Sequence, residues 1–213
     1  MTTRLASDAS KAARPDTRNA VFQSAAAEFS ARGFDGVGVD DIAARAKVNK
    51  AMIYYHFADK LALYRAVVGD MLATIGSTVT EIAAADLTPP DKLNRFIEQF
   101  VRHADARPWF PPLMLREIAA GAPHLDLETL TLMKAVFLGF GRILAEGAAS
   151  GAFRPINPVL AYTSIVGPLL MNAARERMAA APGRSQLPMF VAISHEDLIA
   201  HIQYTAQRML ERR

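Results

Sequence analysis

From Thr17 to Met209 apolar residues return every three or four positions, and no convincing run of alternating apolar and polar residues interrupts them. That spacing follows one face of an α-helix, so it confines the chain to helices joined by short breaks. Residues 17 to 32, TRNAVFQSAAAEFSAR, set Val21, Phe22, Ala25, Ala26 and Phe29 on one stripe, and Gly33 stands where such a helix stops. After FDGVGV comes a short helical run, DDIAARA, with Asp40 and Asp41 in its first turn, where their charge meets the positive end of the helix dipole. Val39, Ile42, Ala43 and Ala46 form its apolar face. Lys47 and Val48 break the period and NKAMIYYHF resumes it, with Asn49 placed to cap the new helix and Ile53 and Phe57 four residues apart on one side.

The next segment, DKLALYRAVVGDMLATIGSTVTEIAAA, reads as one long helix from about 59 to 85, buried through Leu61, Tyr64, Val68, Met71, Leu72 and Ile75. Pro89-Pro90 opens a further helix carrying Leu93, Phe96, Ile97, Phe100 and Val101, and the run RPWFPP ends it, since prolines remove donors and block continuation. Helices are expected again at about 112 to 120, 125 to 149, 157 to 179 and 194 to 211. The fold class is therefore all-α, a small amino-terminal bundle followed by a larger one. The expected division is a loose arm at 1–15, a small helical domain at 16–60 and a larger helical domain at 61–213.

Composition narrows the chemistry. With 51% hydrophobic residues the chain has material for a substantial core. There is no cysteine and there are five scattered histidines, so no disulfide framework, thiolate nucleophile or metal site is expected, a composition that suits the cytoplasm. The first twenty residues hold no apolar core of the kind a signal peptide needs. VLAYTSIVGPLLMNAA, residues 159 to 174, is shorter than the roughly 20 residues of a membrane span and carries polar residues and a proline, so it is expected in a core or subunit interface and no membrane partner is expected. The formal net charge is only +3, yet Arg45, Lys47, Lys50 and Lys60 face a single acid, Asp59, between residues 45 and 60. Such a compact basic patch can hold phosphates on a nearly neutral domain.

Two short helices with a small residue at their crossing, here Ala43, form a helix-turn-helix or an ordinary helical hairpin. The longer constellation discriminates. GFDGVGVDDIAARAKVNKAMIYYHFADKLALY, with its Gly33-Phe34, Asp41-Ile42-Ala43, Tyr54-Tyr55-His56-Phe57 and Lys60, resembles the amino-terminal DNA-binding domain of the TetR family of transcriptional regulators. The resemblance covers residues 17 to about 65. It departs at Gly38, where the family often caps the second helix with serine or threonine, and at Lys47, where it often has glycine. If Lys47 holds positive φ, the cost is about 1 kcal/mol, and a lysine head directed at phosphate offsets part of it.

What the resemblance implies is a partner, double-stranded DNA. A recognition helix enters the major groove while flanking groups fix register on phosphates. Asn49, Lys50, Ala51, Met52 and Tyr55 form the expected recognition face. Lys50 reaches either guanine or a phosphate, and Ala51 and Met52 suit a thymine methyl. By similarity, Tyr54, His56 and Lys60 are phosphate contacts, His56 having a partly buried structural role as its alternative; Phe57 and Ile53 belong to the core.

The resemblance also implies a homodimer built through the helices at 157–179 and 194–211, and a largely apolar site for a small effector in the larger domain. Phe100, His103, Trp109, Met114, Arg116, Phe137 and Asn172 combine aromatic bulk, a thioether and polar handles, and are the candidate effector contacts. No HExxH or GxSxG supports an enzyme, and no cofactor is expected. The expected function is a ligand-responsive repressor, with an activator or a regulator sensing a protein partner as the alternative.

Overall fold

The computed structural model describes residues 17–212, so the expected arm at 1–15 lies outside the described residues. Nine α-helices occur among them: α1 (Thr17–Arg32), α2 (Val39–Ala46), α3 (Lys50–His56), α4 (Lys60–Ala84), α5 (Pro89–Ala106), α6 (Phe110–Ala119), α7 (Leu127–Ala149), α8 (Pro158–Ala179) and α9 (His195–Leu210). A single 3₁₀ turn, Pro188–Phe190, precedes α9. The chain is all-α, a small helical bundle followed by a larger one, and it divides into two compact units between Val67 and Val68.

The helix ends follow local chemistry. Gly33 ends α1 at φ 76°, a conformation that costs glycine nothing. Thr88, Asp126, Asn157 and Ser194 each accept a backbone N–H at the start of α5, α7, α8 and α9. The prolines of RPWFPP do two jobs: α5 stops at Ala106, and Pro111 and Pro112 lie in the first turn of α6, where a missing N–H breaks no intrahelical bond. α6 therefore begins at Phe110, two residues before the expected start. Pro168 sits inside α8 without ending it.

In the first unit α1, α2 and α3 pack on one another. Val21, Phe29, Ile42 and Ile53 are wholly buried, with Ala43 and Phe57 nearly so. The Tyr64 ring meets Phe29 edge-on at 5.0 Å and Phe34 at 5.2 Å between centroids. At 8 and 7 residues, α2 and α3 are too short to hold as isolated helices, so burial of Ile42 and Ile53 is what keeps them formed.

In the second unit α5 packs on α7, α8 and α9, while α8 also meets α6, α7 and α9. Phe96, Ile97, Phe140, Ile143 and Ile165 lie at its centre. α7 turns toward α8 through a tight corner in which Phe153 lies directly against Gly147. Lys92, 5% exposed, is held by both Glu146 carboxylate oxygens at 2.9 and 2.8 Å and by the Ala83 carbonyl at 3.0 Å, so a buried charge is fully paired. α4 is the one described helix long and apolar enough to cross a membrane; its apolar content is accounted for by buried Val67, Val68, Met71, Leu72, Ile75 and Val79.

Candidate nucleic-acid interface and effector cavity

The turn between α2 and α3 is built by Lys47. Its φ of 55° and ψ of 41° are left-handed, its N–H donates to the Ala44 carbonyl at 3.2 Å, and the Val48 N–H donates to the Ala43 carbonyl at 3.1 Å. These two bonds close α2 in the arrangement a C-terminal glycine ordinarily makes, now carried by a lysine. At the other end of α2, Gly38 offers no side chain, but Asp41 compensates by accepting the Gly38 N–H at 2.8 Å. That bond, together with Arg32, holds the Asp41 carboxyl below its ordinary value.

Arg32 reaches Glu28 at 2.7 Å and Asp41 at 2.8 Å, and Arg45 reaches Glu28 at 3.2 Å, tying α1 to α2. The chain turns into α3 through Asn49, whose Oδ1 accepts the Ala51 N–H at 2.8 Å. Asn49 is thus a helix cap, with its amide nitrogen and one remaining lone pair of Oδ1 unengaged by that bond.

Lys50, Ala51, Tyr54 and Tyr55 form the outer face of α3, Tyr55 at 78% exposure and Tyr54 at 46%; Met52 is half-buried and Ile53 lies on the opposite, core side. The Lys50 ammonium bonds Asp40 at 2.9 Å, a contact that raises its pKa. His56 is half-buried and its Nε2 is enclosed without a hydrogen-bond partner. Lys60 donates to the Phe34 and Val37 carbonyls at 3.0 Å each and stands 4.1 Å from the centroid of the Phe34 ring. It closes the loop after α1, a task its spacing in the sequence does not disclose.

Of the four basic groups of the patch, Arg45, Lys50 and Lys60 are thus engaged within the domain. Only the exposed Lys47 ammonium has no hydrogen bond or ion pair among the described residues.

In the second unit α4, α5, α6, α7 and α8 surround a cavity of about 520 Å³. Phe100, Met114 and Phe137 line it. The other four effector candidates do not. His103 bonds Thr78 at 3.0 Å; the Thr78 hydroxyl spends its proton on the Thr74 carbonyl, so it accepts from His103 Nε2–H. Burial, with the Arg107 charge adding to it, lowers the His103 pKa. Trp109 stands at the start of α6 and Arg116 on its exposed side, neither on the cavity wall. Asn172 borders a separate groove of about 320 Å³ between α5, α6, α8 and α9.

Sequence reasoning passed over Tyr162, which meets Phe137 at 5.9 Å and Phe140 at 5.5 Å between centroids, and whose pKa burial pushes up to about 12. Its signal was present: Val159, Tyr162, Val166 and Leu170 recur at helical spacing along α8 and all face the cavity.

A family model for bacterial regulatory proteins of the tetR family matches residues 21–67, the unit that carries α2 and α3, and a tetracyclin repressor-like C-terminal domain model matches residues 89–183. The chain belongs to the TetR family. Within the family it is 30% identical over 141 residues to the HTH-type transcriptional regulator RutR of Escherichia coli, and 30% identical over 145 residues to the HTH-type transcriptional repressor NicS of Pseudomonas putida. Those matches span 66% of each relative's own length, and 66% and 65% of this chain. Among solved structures, the TetR regulator PfmR of Thermus thermophilus superposes with a TM-score of 0.69 at 23% identity, covering 90% of this chain and 99% of PfmR. The ketosteroid regulator KstR2 of Mycobacterium tuberculosis does so at 0.73 and 17%, covering 94% and 97%. At these identities the likeness is one of fold. The chain is a DNA-binding regulator of the TetR family, with a helix-turn-helix formed by α2 and α3.

Proposed function

We propose that this TetR-family chain is a cytoplasmic, ligand-responsive repressor that binds a near-palindromic operator as a homodimer and is released from it by a small, mostly apolar effector. The observation that carries this reading is the cavity of about 520 Å³ in the unit that follows the DNA-binding one, within the size range of small-molecule sites and walled almost wholly by apolar side chains. α4 begins beside the helix-turn-helix and lends Leu72 and Ile75 to the cavity wall, so one continuous helix belongs to both functions. An effector that packs better against one position of α4 shifts the population toward it, and the favoured spacing of recognition helices no longer fits successive half-sites. Repression, rather than activation, draws support from NicS, a relative named as a repressor.

In this reading Tyr54, His56 and Lys47 serve the DNA backbone, Lys60 supports them by holding the loop after α1, and Lys50, Ala51, Met52, Tyr55 and the Asn49 amide serve the bases. Lys50 exchanges Asp40 for its DNA partner. Exposed Leu160, Met171 and Met178 on α8 and Tyr204 on α9 supply apolar surface for the second subunit. The test selects operator fragments from genomic DNA with purified protein, then measures mass and affinity on an intact site and on one half-site. Dimers on the intact site, weakened binding on the half-site and an effector that releases the complex are expected. Equal binding of a monomer to the half-site overturns the dimeric reading.

A further inference from the structure

The cavity carries its polarity in one direction. Leu72, Ile75, Phe110 and Val136, at 5% exposure or less, form its interior. Ile118 and Val159, at 56% and 57%, stand at its mouth, and Lys134 on α7 is exposed there with them. Every lining side chain is hydrocarbon or thioether except two, Lys134 and Tyr162.

Both are free to act on a ligand. Lys134 has no ion pair and no side-chain hydrogen bond among the described residues, unlike Lys92 and Lys50, whose ammonium groups are paired with carboxylates. Its stem can cover the apolar wall while its ammonium stays at the water boundary. The Tyr162 ring is wedged by Phe137 and Phe140, and its hydroxyl has no hydrogen-bond partner among the described residues. Tyr162 is half-buried and its hydroxyl is not sealed from solvent, so an acceptor on a ligand head near the mouth takes the place of water on that O–H. Burial keeps that phenol protonated, a donor throughout the physiological range.

We infer that the cavity takes a monoanionic amphiphile, its apolar body enclosed between α4 and α8, its anionic head at the mouth beside Lys134 and one of its oxygens accepting the Tyr162 O–H. This deepens the effector reading and rests on it for biological meaning, but the binding chemistry stands separately. A neutral apolar ligand would leave Lys134 without a role, and a cation would place like charges together at the only charged group on the wall.

The experiment uses the full chain without DNA and three probes sharing a ten-carbon body, each below its micelle concentration: decanoate, methyl decanoate and decyltrimethylammonium. Binding is measured calorimetrically and by displacement of a hydrophobic fluorophore. Decanoate is expected to bind about tenfold tighter than its ester, the scale of one charge-assisted hydrogen bond, with the cation weakest. Lys134→Gln, an exposed position, is expected to remove that preference while leaving the ester within about twofold; Tyr162→Phe weakens acid and ester alike. Equal affinity for acid and ester, an unchanged preference in Lys134→Gln, or no binding of any probe by a chain with intact helical signal each overturns the proposal. Tight, Lys134-dependent decanoate binding without release of operator DNA overturns the effector reading and leaves the ligand chemistry standing.

Discussion

Lys47 and Lys60 look alike in the sequence, as two lysines flanking an aromatic-rich helix, but the structure gives them opposite work. The Lys60 ammonium satisfies two carbonyls of the loop after α1 and lies over the Phe34 ring, so its removal leaves those acceptors wanting. Lys60→Met is expected to destabilise the chain by about 2 kcal/mol, the scale of hydrogen bonds from a charged group, read as an earlier denaturant midpoint. Lys47 already bears the cost of a left-handed backbone and has no ammonium partner among the described residues. Lys47→Ala is therefore expected to change stability little while lowering affinity on operator and scrambled DNA alike and reducing the salt slope by about one. An unchanged salt slope would remove Lys47 from the phosphate contacts. At Asn49 the side-chain oxygen already accepts the Ala51 N–H, so the proposed base reading by its amide shares that oxygen with the cap.

Among the elements, α7 depends on absent side chains, most sharply at Gly147. A Cβ at Gly147 would fall on the Phe153 ring, so Gly147→Ala forces the corner between α7 and α8 open. A loss of about 1 to 3 kcal/mol is expected, seen as a lower melting temperature, whereas the same change at Gly141, which meets nothing within 4 Å, is expected to be tolerated or mildly stabilising. α4 and α5 are joined by the His103–Thr78 hydrogen bond. The folded pKa of His103 lies below the unfolded 6.5, so between those values the unfolded chain binds more protons and stability falls as pH falls. The wild-type melting temperature is expected to drop more between pH 7.5 and 5.5 than that of His103→Gln, which keeps a donor for Thr78 but cannot titrate. Parallel declines in the two proteins would show that His103 does not contribute.

At the scale of the whole molecule, DNA and effector are coupled only through the free energies of the states they select. An effector that weakens operator binding by some factor must itself bind the operator complex more weakly by the same factor. Titrating effector against free protein and against the operator complex, and operator against free and liganded protein, is expected to close this cycle. Unequal factors would mean that a further species, such as a second bound dimer, takes part.

The helices and the family were legible in the residues because their determinants are local. The apolar period, the cap at Asn49 and the breaks at Gly33 and the proline runs act over a few residues, and they positioned the elements to within about two residues of where they lie. The run from Gly33 to Lys60 likewise carries its own spacing, which is why the helix-turn-helix could be read from it. Which side chains meet across the fold was decided only by tertiary structure. Phe100, Met114 and Phe137 come from three helices to one cavity, while His103, one turn from Phe100, instead joins Thr78. The partners of Lys60 lie 23 and 26 residues away, and Lys92 meets Glu146 across 54. A cavity is the gap left where packed helices diverge, and a charge settles where distant carbonyls and carboxylates leave it a place, so both depend on how helices cross and not on the order of residues within any one of them.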